Sequence, residues 1–383
     1  MEKSIREFRI GRGRVSGLLS AVLSTLCLGG VFCFYFPEYL TTPELRQVYP
    51  IEFLRRALAF FIGLSFLLGL FGFLRSSDKK MSLWGLAVST ICVFLGGLAI
   101  PVQDSVEKSH YLGLDWFILD ILIVALVFIP IESLFYRVKQ KIFRPRWKTD
   151  FYHFFFSHIL IQLTSFLILF PSLYLGAQIA NPTLQAWVQS QPLFVQFLEV
   201  LFLADFTQYW VHRAFHQIPF LWRFHAIHHS VQDMDWLAGS RLHLVDIVIT
   251  RGLTLVPLFI LGFRQEALQA YLVFVAFWAT FIHVNIRYPF TTLQTFFATP
   301  IYHHWHHAIE KEAIDKNFAV HLPVIDRVFG THYLPEGHWP SGYGIHKSDV
   351  PDSYLEQTLY PFRSKKRVEA ESSTSTPLLK NRD

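Results

Sequence analysis

With 383 residues, 52% of them hydrophobic and 16% charged, and a mean hydropathy of +0.33, the chain is too apolar for an ordinary soluble enzyme and reads as an integral membrane protein. The net charge of +5 does not indicate nucleic acid, because Lys and Arg fall in short flanks beside apolar spans and form no continuous stripe. Cys27, Cys33 and Cys92 all lie inside apolar stretches, which excludes a disulfide framework and a Cys-based zinc site.

The chain opens on Lys3, Arg6, Arg9, Arg12 and Arg14, followed by an apolar run from Ser16 to Phe36. That run is longer than a signal-peptide core and long enough to cross a bilayer, so it predicts an uncleaved anchor with its basic end in the cytosol. Further spans are predicted at Ala57 to Leu74, Leu83 to Ile100 and Leu114 to Phe135. Basic flanks return after every second crossing: Arg75, Lys79 and Lys80, then Arg137, Lys139, Lys141, Arg144, Arg146 and Lys148. Only Arg55 and Arg56 dissent, and long basic side chains snorkel to an interface. A fifth span near Phe156 to Gly176 and a sixth near Leu193 to Val211 enclose a connection, Ala177 to Pro192, without Lys or Arg. Val245 to Leu261 and Leu268 to Ile282 form a predicted hairpin. From Pro323 the chain is polar and rich in Gly and Pro, as in a cytosolic cap, and past Phe362 it is too polar to bury a core. The expected fold is an all-α integral membrane protein, a multi-span helical bundle with a cytosolic, histidine-rich dimetal site and cap. Its divisions are a membrane region over 1–110, a catalytic region over 111–362 and a disordered tail over 363–383.

The histidines fall where apolar segments end. On a helix, residues i, i+3 and i+4 share a face, so His212 pairs with His216, and His225 converges with His228 and His229. The same His-x-x-His-His spacing returns as His303, His306 and His307, leaving His304 one step off that face. A lone histidine in an apolar segment is usually a satisfied core residue. Repeated triplets exceed what one ion holds, and imidazole suits Fe, Zn, Cu or Ni, so two metals are predicted. Asp205, about two turns before His212 on its face, is placed to accept from a ligand's second nitrogen; the alternative is an intramembrane acid paired for stability. Tyr209, Trp210, Trp222 and Trp305 read as interfacial belt or core. No Walker loop, G-x-G-x-x-G loop or covalent haem motif occurs.

Three stretches, Asp205 to His216, Trp222 to Ser230 and Thr299 to His307, together resemble the fatty acid hydroxylase superfamily, and within it the bacterial sterol desaturase-like branch. Arg241-Leu-His243-Leu244-Val-Asp246 resembles the family's Arg-x-His-Pro-x-Glu element, with Leu244 in place of Pro and Asp246 in place of Glu. His283-Val-Asn285-Ile-Arg287 resembles its His-x-Asn-x-Arg element, and Asn317-Phe with Asp326 to Thr331 its closing signature. The resemblance covers about Gln196 to Phe362. It implies a di-iron centre that uses O₂ and two electrons to hydroxylate or desaturate a membrane lipid, with zinc as an alternative occupant of the purified protein. It further implies His243 and His283 as ligands beside the three clusters, and Asn285, Asn317 and Asp326 as residues supporting them. No cytochrome b5-like His-Pro-Gly-Gly is fused here, so the expected donor is a separate ferredoxin or cytochrome b5-like protein with an NAD(P)H reductase. The expected location is a bacterial inner membrane, or the endoplasmic reticulum in a eukaryote, with the site facing the cytosol. The competing classes are a histidine-rich metal transporter, whose ligands belong near the bilayer midplane, a haem-b carrier, which needs only axial pairs, and a zinc-stabilised scaffold with closed coordination.

Overall fold

A computed structural model describes residues 13–43, 46, 50–96, 99 and 111–363. The basic residues Lys3 to Arg12 and the polar tail from residue 364 lie outside them. Among the described residues there is no strand, only the isolated bridges Tyr136 to Ile286 and Ala308 to Tyr343. The chain divides into two units, Met1–Leu122 and Ile123–Asp383.

The first unit contains α1 (Arg14–Tyr35), α2 (Pro37–Leu40), α3 (Ile51–Arg75), α4 (Lys80–Phe94) and the start of α5 (Leu114–Phe135). Helices α1, α3 and α5 are each long and apolar enough to cross a membrane. The predicted third span is shorter than expected: α4 has 15 residues, about 22 Å at 1.5 Å per residue, against a hydrocarbon core of about 30 Å. Where α1, α3 and α4 meet, small residues replace large ones. The Ser20 hydroxyl donates to the Ser65 carbonyl at 2.6 Å, and the hydroxyls of Ser65 and Ser89 bond each other. A Cβ on Gly85 would overlap Ser20 Oγ and lie 2.9 Å from the Ser20 carbonyl carbon. Without water inside a bilayer, such close backbone approach and shared hydroxyls are what hold helices together.

The second unit holds the rest of α5 and then α6 (Trp147–Leu163), α7 (Ser165–Ile179), α8 (Pro182–Ser190), α9 (Leu193–Gln217), α10 (Pro219–His229), α11 (Leu244–Leu261), α12 (Gln265–Phe281), α13 (Pro300–His306), α14 (Pro323–Val328) and α15 (Tyr354–Leu359). Helix α11 is a fourth candidate span, and α6 with α7 is a fifth if a bent pair counts as one. That pair bends by 50° beside Thr164, whose hydroxyl donates back to the Leu160 carbonyl at 2.7 Å and competes with the helix ladder. The sequence analysis expected eight spans. Two of its helices fall short here: α9 is 25 residues long but carries Glu199, Asp205 and Arg213, and α12 has only 17 residues. Gly262, at φ +66, closes α11 and turns the chain toward α12. Val200, Leu201 and Ala204 of α9 pack with Leu258 of α11 and Tyr271 of α12. This core fixes the end of α9 at which the histidines begin.

Because the α1, α3 and α4 contact leaves no room for a side chain at Gly85, Gly85→Leu should destabilise the first unit by about 1–3 kcal/mol. Thermal unfolding should fall while protease cleavage within α1 to α4 rises. An unchanged melting curve would contradict this packing.

Candidate dimetal site

Helix α9 ends and α10 begins with Ile218 alone between them, and Pro219 at the first position of α10 needs no N–H partner there. This tight corner folds His212 and His216 back onto His225, His228 and His229. Pro300 starts α13 in the same way and delivers His303, His306 and His307. Nine histidines then gather into two adjoining groups: His212, His216, His225, His229 and His306, and His228, His283, His303 and His307. Within each, one nitrogen per ring lies within 4.8 Å of all the others. The groups share a wall, with the rings of His229 and His307 stacked at 4.4 Å.

The tautomers follow from the oxygens behind the rings. Nδ1 of His212 donates to the Phe318 carbonyl at 2.8 Å, that of His306 to the Lys316 carbonyl at 2.7 Å, that of His228 to the Arg241 carbonyl at 3.2 Å and that of His283 to the Ala279 carbonyl at 2.7 Å. His225 Nδ1 faces an Asp246 carboxylate oxygen at 2.7 Å, and His216 Nδ1 an Asp315 oxygen at 3.2 Å. Carbonyl oxygens only accept, so in His212, His228, His283 and His306 Nδ1 holds the ring proton and Nε2 is left as a bare lone pair. Burial, reinforced by neighbouring rings, holds His225, His228, His229, His303, His306 and His307 well below the usual imidazole range, and burial takes His283 down to about 4. The rings are therefore neutral at pH 7.

Ring nitrogens nevertheless face each other, and in the pair His228 and His283 both are bare. Nε2 of His212 lies 3.0 Å from that of His225, and Nε2 of His228 lies 3.4 Å from that of His283, with His303 Nε2 3.0 Å from the same atom. Nε2 of His306 is buried with no hydrogen-bond partner. Opposed lone pairs in a buried site repel unless a cation or a proton donor lies between them. Nitrogens about 2.0–2.1 Å from one ion are about 2.8–3.4 Å apart when the bond angle lies between square and tetrahedral. The residues present thus fit two metal ions.

The sequence-predicted supporting residues act on one loop and one segment rather than on the rings. Asp205 does not touch His212. Its carboxylate accepts from the backbone N–H groups of Val320, His321 and Leu322 and faces the His321 ring. Asp326 accepts from Phe318 N, Ala319 N, Tyr302 Oη and Thr331 Oγ1. Asn317, in the left-handed region at φ +57, donates to the Tyr302 and Tyr333 carbonyls. These three hold the Asp315 to Leu322 loop, which in turn supplies the oxygens behind His212, His216 and His306. Asn285 pairs with both backbone groups of Val138 and donates its own N–H to Glu132, locking the segment after His283.

His243 joins neither group. Its Nδ1 accepts from Val245 N as the cap of α11, and its Nε2 donates to the Thr358 carbonyl at 3.1 Å. Both nitrogens are thereby occupied in fastening α15. His304 also stands apart, facing Tyr343 Oη and the His283 carbonyl. Sequence reasoning missed Asp246 as the partner of His225, although it had been placed in the Arg-x-His element. It also missed the buried network in which Arg144 grips Asp235 with two bonds of 2.6 Å, and Asp150 bridges Arg144 at 2.8 Å and Arg241 at 2.5 Å. No periodicity in the sequence joins residues 91 positions apart.

Comparison with known proteins agrees with this geometry. The sequence model described as fatty acid hydroxylase matches residues 197–331, which hold all nine histidines. This stretch of the chain is thus similar to fatty acid hydroxylases. The chain is 30% identical over 197 residues to an ornithine lipid hydroxylase of Rhizobium tropici, covering 50% of this chain and 59% of that protein. It is 31% identical over 127 residues to the alkylglycerol monooxygenase of Homo sapiens, covering 33% of this chain and 28% of that enzyme. It is 26% identical over 194 residues to a putative methylsterol monooxygenase of Dictyostelium discoideum, covering 49% of this chain and 69% of that protein. The chain therefore spans less than two thirds of the first two. No solved structure matches. The matched stretch includes Asp205, Asp246, Asn317 and Asp326, whereas Arg144 and Asp150 precede it.

Since Asp246 holds the His225 ring at 2.7 Å, Asp246→Asn should weaken metal binding in the larger group about 10–100-fold, read by chelator competition. His243→Ala should leave both affinities unchanged. A large loss in His243→Ala would contradict the assignment of its ring to α15.

Proposed function

We propose that the protein is an O₂-dependent membrane lipid hydroxylase in which His212, His216, His225, His229 and His306 hold one iron, and His228, His283, His303 and His307 the other. The observation that carries this reading is the pair of adjoining, buried groups of imidazole nitrogens inside a stretch similar to fatty acid hydroxylases. Bound iron there would supply the power to reduce O₂ with two donated electrons and two protons from solvent, so that one oxygen atom enters an aliphatic C–H bond of the lipid and the other leaves as water. The chain's own part is to hold and dry the centre. Neutral rings add no negative charge, so most of the ions' charge is retained for O₂, and the oxygens behind Nδ1 make the imidazoles better donors. Trp222, whose ring centroid lies 5.2 Å from His216 and 5.4 Å from His229, screens the partly exposed edge of the larger group.

Relatives are named for hydroxylation or monooxygenation of an ornithine lipid, an alkylglycerol and a methylsterol. Their common chemistry is a polar group on a long apolar body, which favours a membrane lipid as the substrate class. Candidate membrane spans in the same chain let such a molecule enter from the bilayer. Hydroxylation is favoured over desaturation because it needs no second hydrogen abstraction. Electrons come in this reading from a separate ferredoxin or cytochrome b5-like protein with its NAD(P)H reductase, docking on the cytosolic side beside Arg137, Lys139 and Lys141, where steering makes association weaken with salt. The catalytic region is proposed to cover 111–362. A histidine-rich metal transporter is the less favoured reading, since it gives no reason for the similarity to hydroxylases.

Cells supplied with ¹⁸O₂ should accumulate a lipid carrying one labelled oxygen, and cells making His228→Ala should not. Unlabelled product, or equal product from His228→Ala, would overturn the proposal.

A further inference from the structure

The first unit contains a cavity of about 350 Å³ that no histidine lines. It follows one stripe of α1 from Leu23 to Phe34 and reaches Pro37 at the start of α2, about 17 Å of helix along α1 at 1.5 Å per residue. Leu58 of α3 and Ile118 of α5 close its sides. Polar groups gather at one end only, where Thr41, Arg46 and Asp115 line it, and both Asp115 oxygens accept from Thr42 N at 3.0 Å. Its origin lies in the helix packing. Ser20, Ser65 and Gly85 draw α1, α3 and α4 into backbone contact at the Ser20 level, while from Leu23 onward the facing side of α1 meets α3 and α5 across this space.

All three enclosing helices are candidate membrane spans. An apolar cavity stays dry, because water there finds no polar partners, and the surrounding solvent inside a bilayer is alkyl chain. A volume of this size is at the lower end of ordinary small-molecule sites, which run about 300–1,000 Å³. The length, the apolar wall and the single polar end match an amphiphile lying along α1. We propose that this cavity binds one alkyl chain of a membrane lipid, with the lipid's polar end beside Thr41, Arg46 and Asp115. The site belongs to the first unit and does not depend on the reaction proposed for the second.

The full chain, in vesicles of phosphatidylglycerol and phosphatidylcholine doped with a phospholipid carrying a diazirine in mid-chain, is irradiated and its adducts are mapped by mass spectrometry. The proposal predicts inward adducts on Cys27, Leu58 or Ile118 in addition to outward ones on Phe60 and Leu67, whose side chains are exposed. Leu58→Trp, which fills the cavity from α3, should abolish the adducts on Cys27 and Ile118 and retain the outward ones. Gly30→Leu fills it from α1, where a new Cβ lies 3.4 Å from Leu58, and should do the same. Retention of the outward adducts reports that each variant is inserted and folded. Outward adducts alone in the parent protein, as when the chain's own segments fill the space, would overturn the proposal. So would inward adducts undiminished in both variants.

Discussion

Nine neutral imidazoles turned nitrogen to nitrogen in a largely buried site are an unstable arrangement by themselves, and the second unit is built around that constraint. Each buried ring gives up hydration, and a bare Nε2 without a partner leaves that loss uncompensated. The arrangement is tolerable only if cations or proton donors complete it and if the rings are held in place. Six of the nine, His212, His216, His225, His228, His283 and His306, have an oxygen behind Nδ1. The centre is therefore specified as much by acceptors as by ligands.

Those acceptors come largely from one irregular loop. Asp315 and Asn317 both sit at positive φ, at +56 and +57, which short polar side chains tolerate better than most. The reversal there lets Asp315, Lys316 and Phe318 present oxygens to three different rings within four residues. Asp205 and Asp326 then satisfy the backbone N–H groups of Phe318 to Leu322 from α9 and α14, so the buried part of the loop keeps its donors paired. On the other side, the Arg144, Asp150, Asp235 and Arg241 network anchors Arg241, whose carbonyl orients His228. Breaking one partner of such a buried ionic set leaves a charge uncompensated, which costs about 3–5 kcal/mol.

The sequence exposed the parts of this design that depend on local spacing. Helical periodicity placed His225, His228 and His229 together, set His304 apart from His303, and located α1, α5 and α11 nearly to the residue. It did not show which cluster residues share an ion: His228 and His229, adjacent in the chain, go to different groups, and His306 parts from His303 and His307. Those divisions arise from crossing angles between helices, which spacing does not encode. The same limit explains Asp205, read as touching a ring and found gripping a loop 115 residues away. His243 carried a ligand-like motif, but its place at the first turn of α11 gives Nδ1 to a backbone N–H instead. Span counting overreached where length and polarity conflict, as in α4, α9 and α12.

Anomalous diffraction from crystals of the iron-reconstituted protein, collected on either side of the iron absorption edge, tests the central claim most directly. Two iron peaks should appear, one bounded by His212, His216, His225, His229 and His306 and the other by His228, His283, His303 and His307. A single peak, or an iron bound by His243, would contradict it.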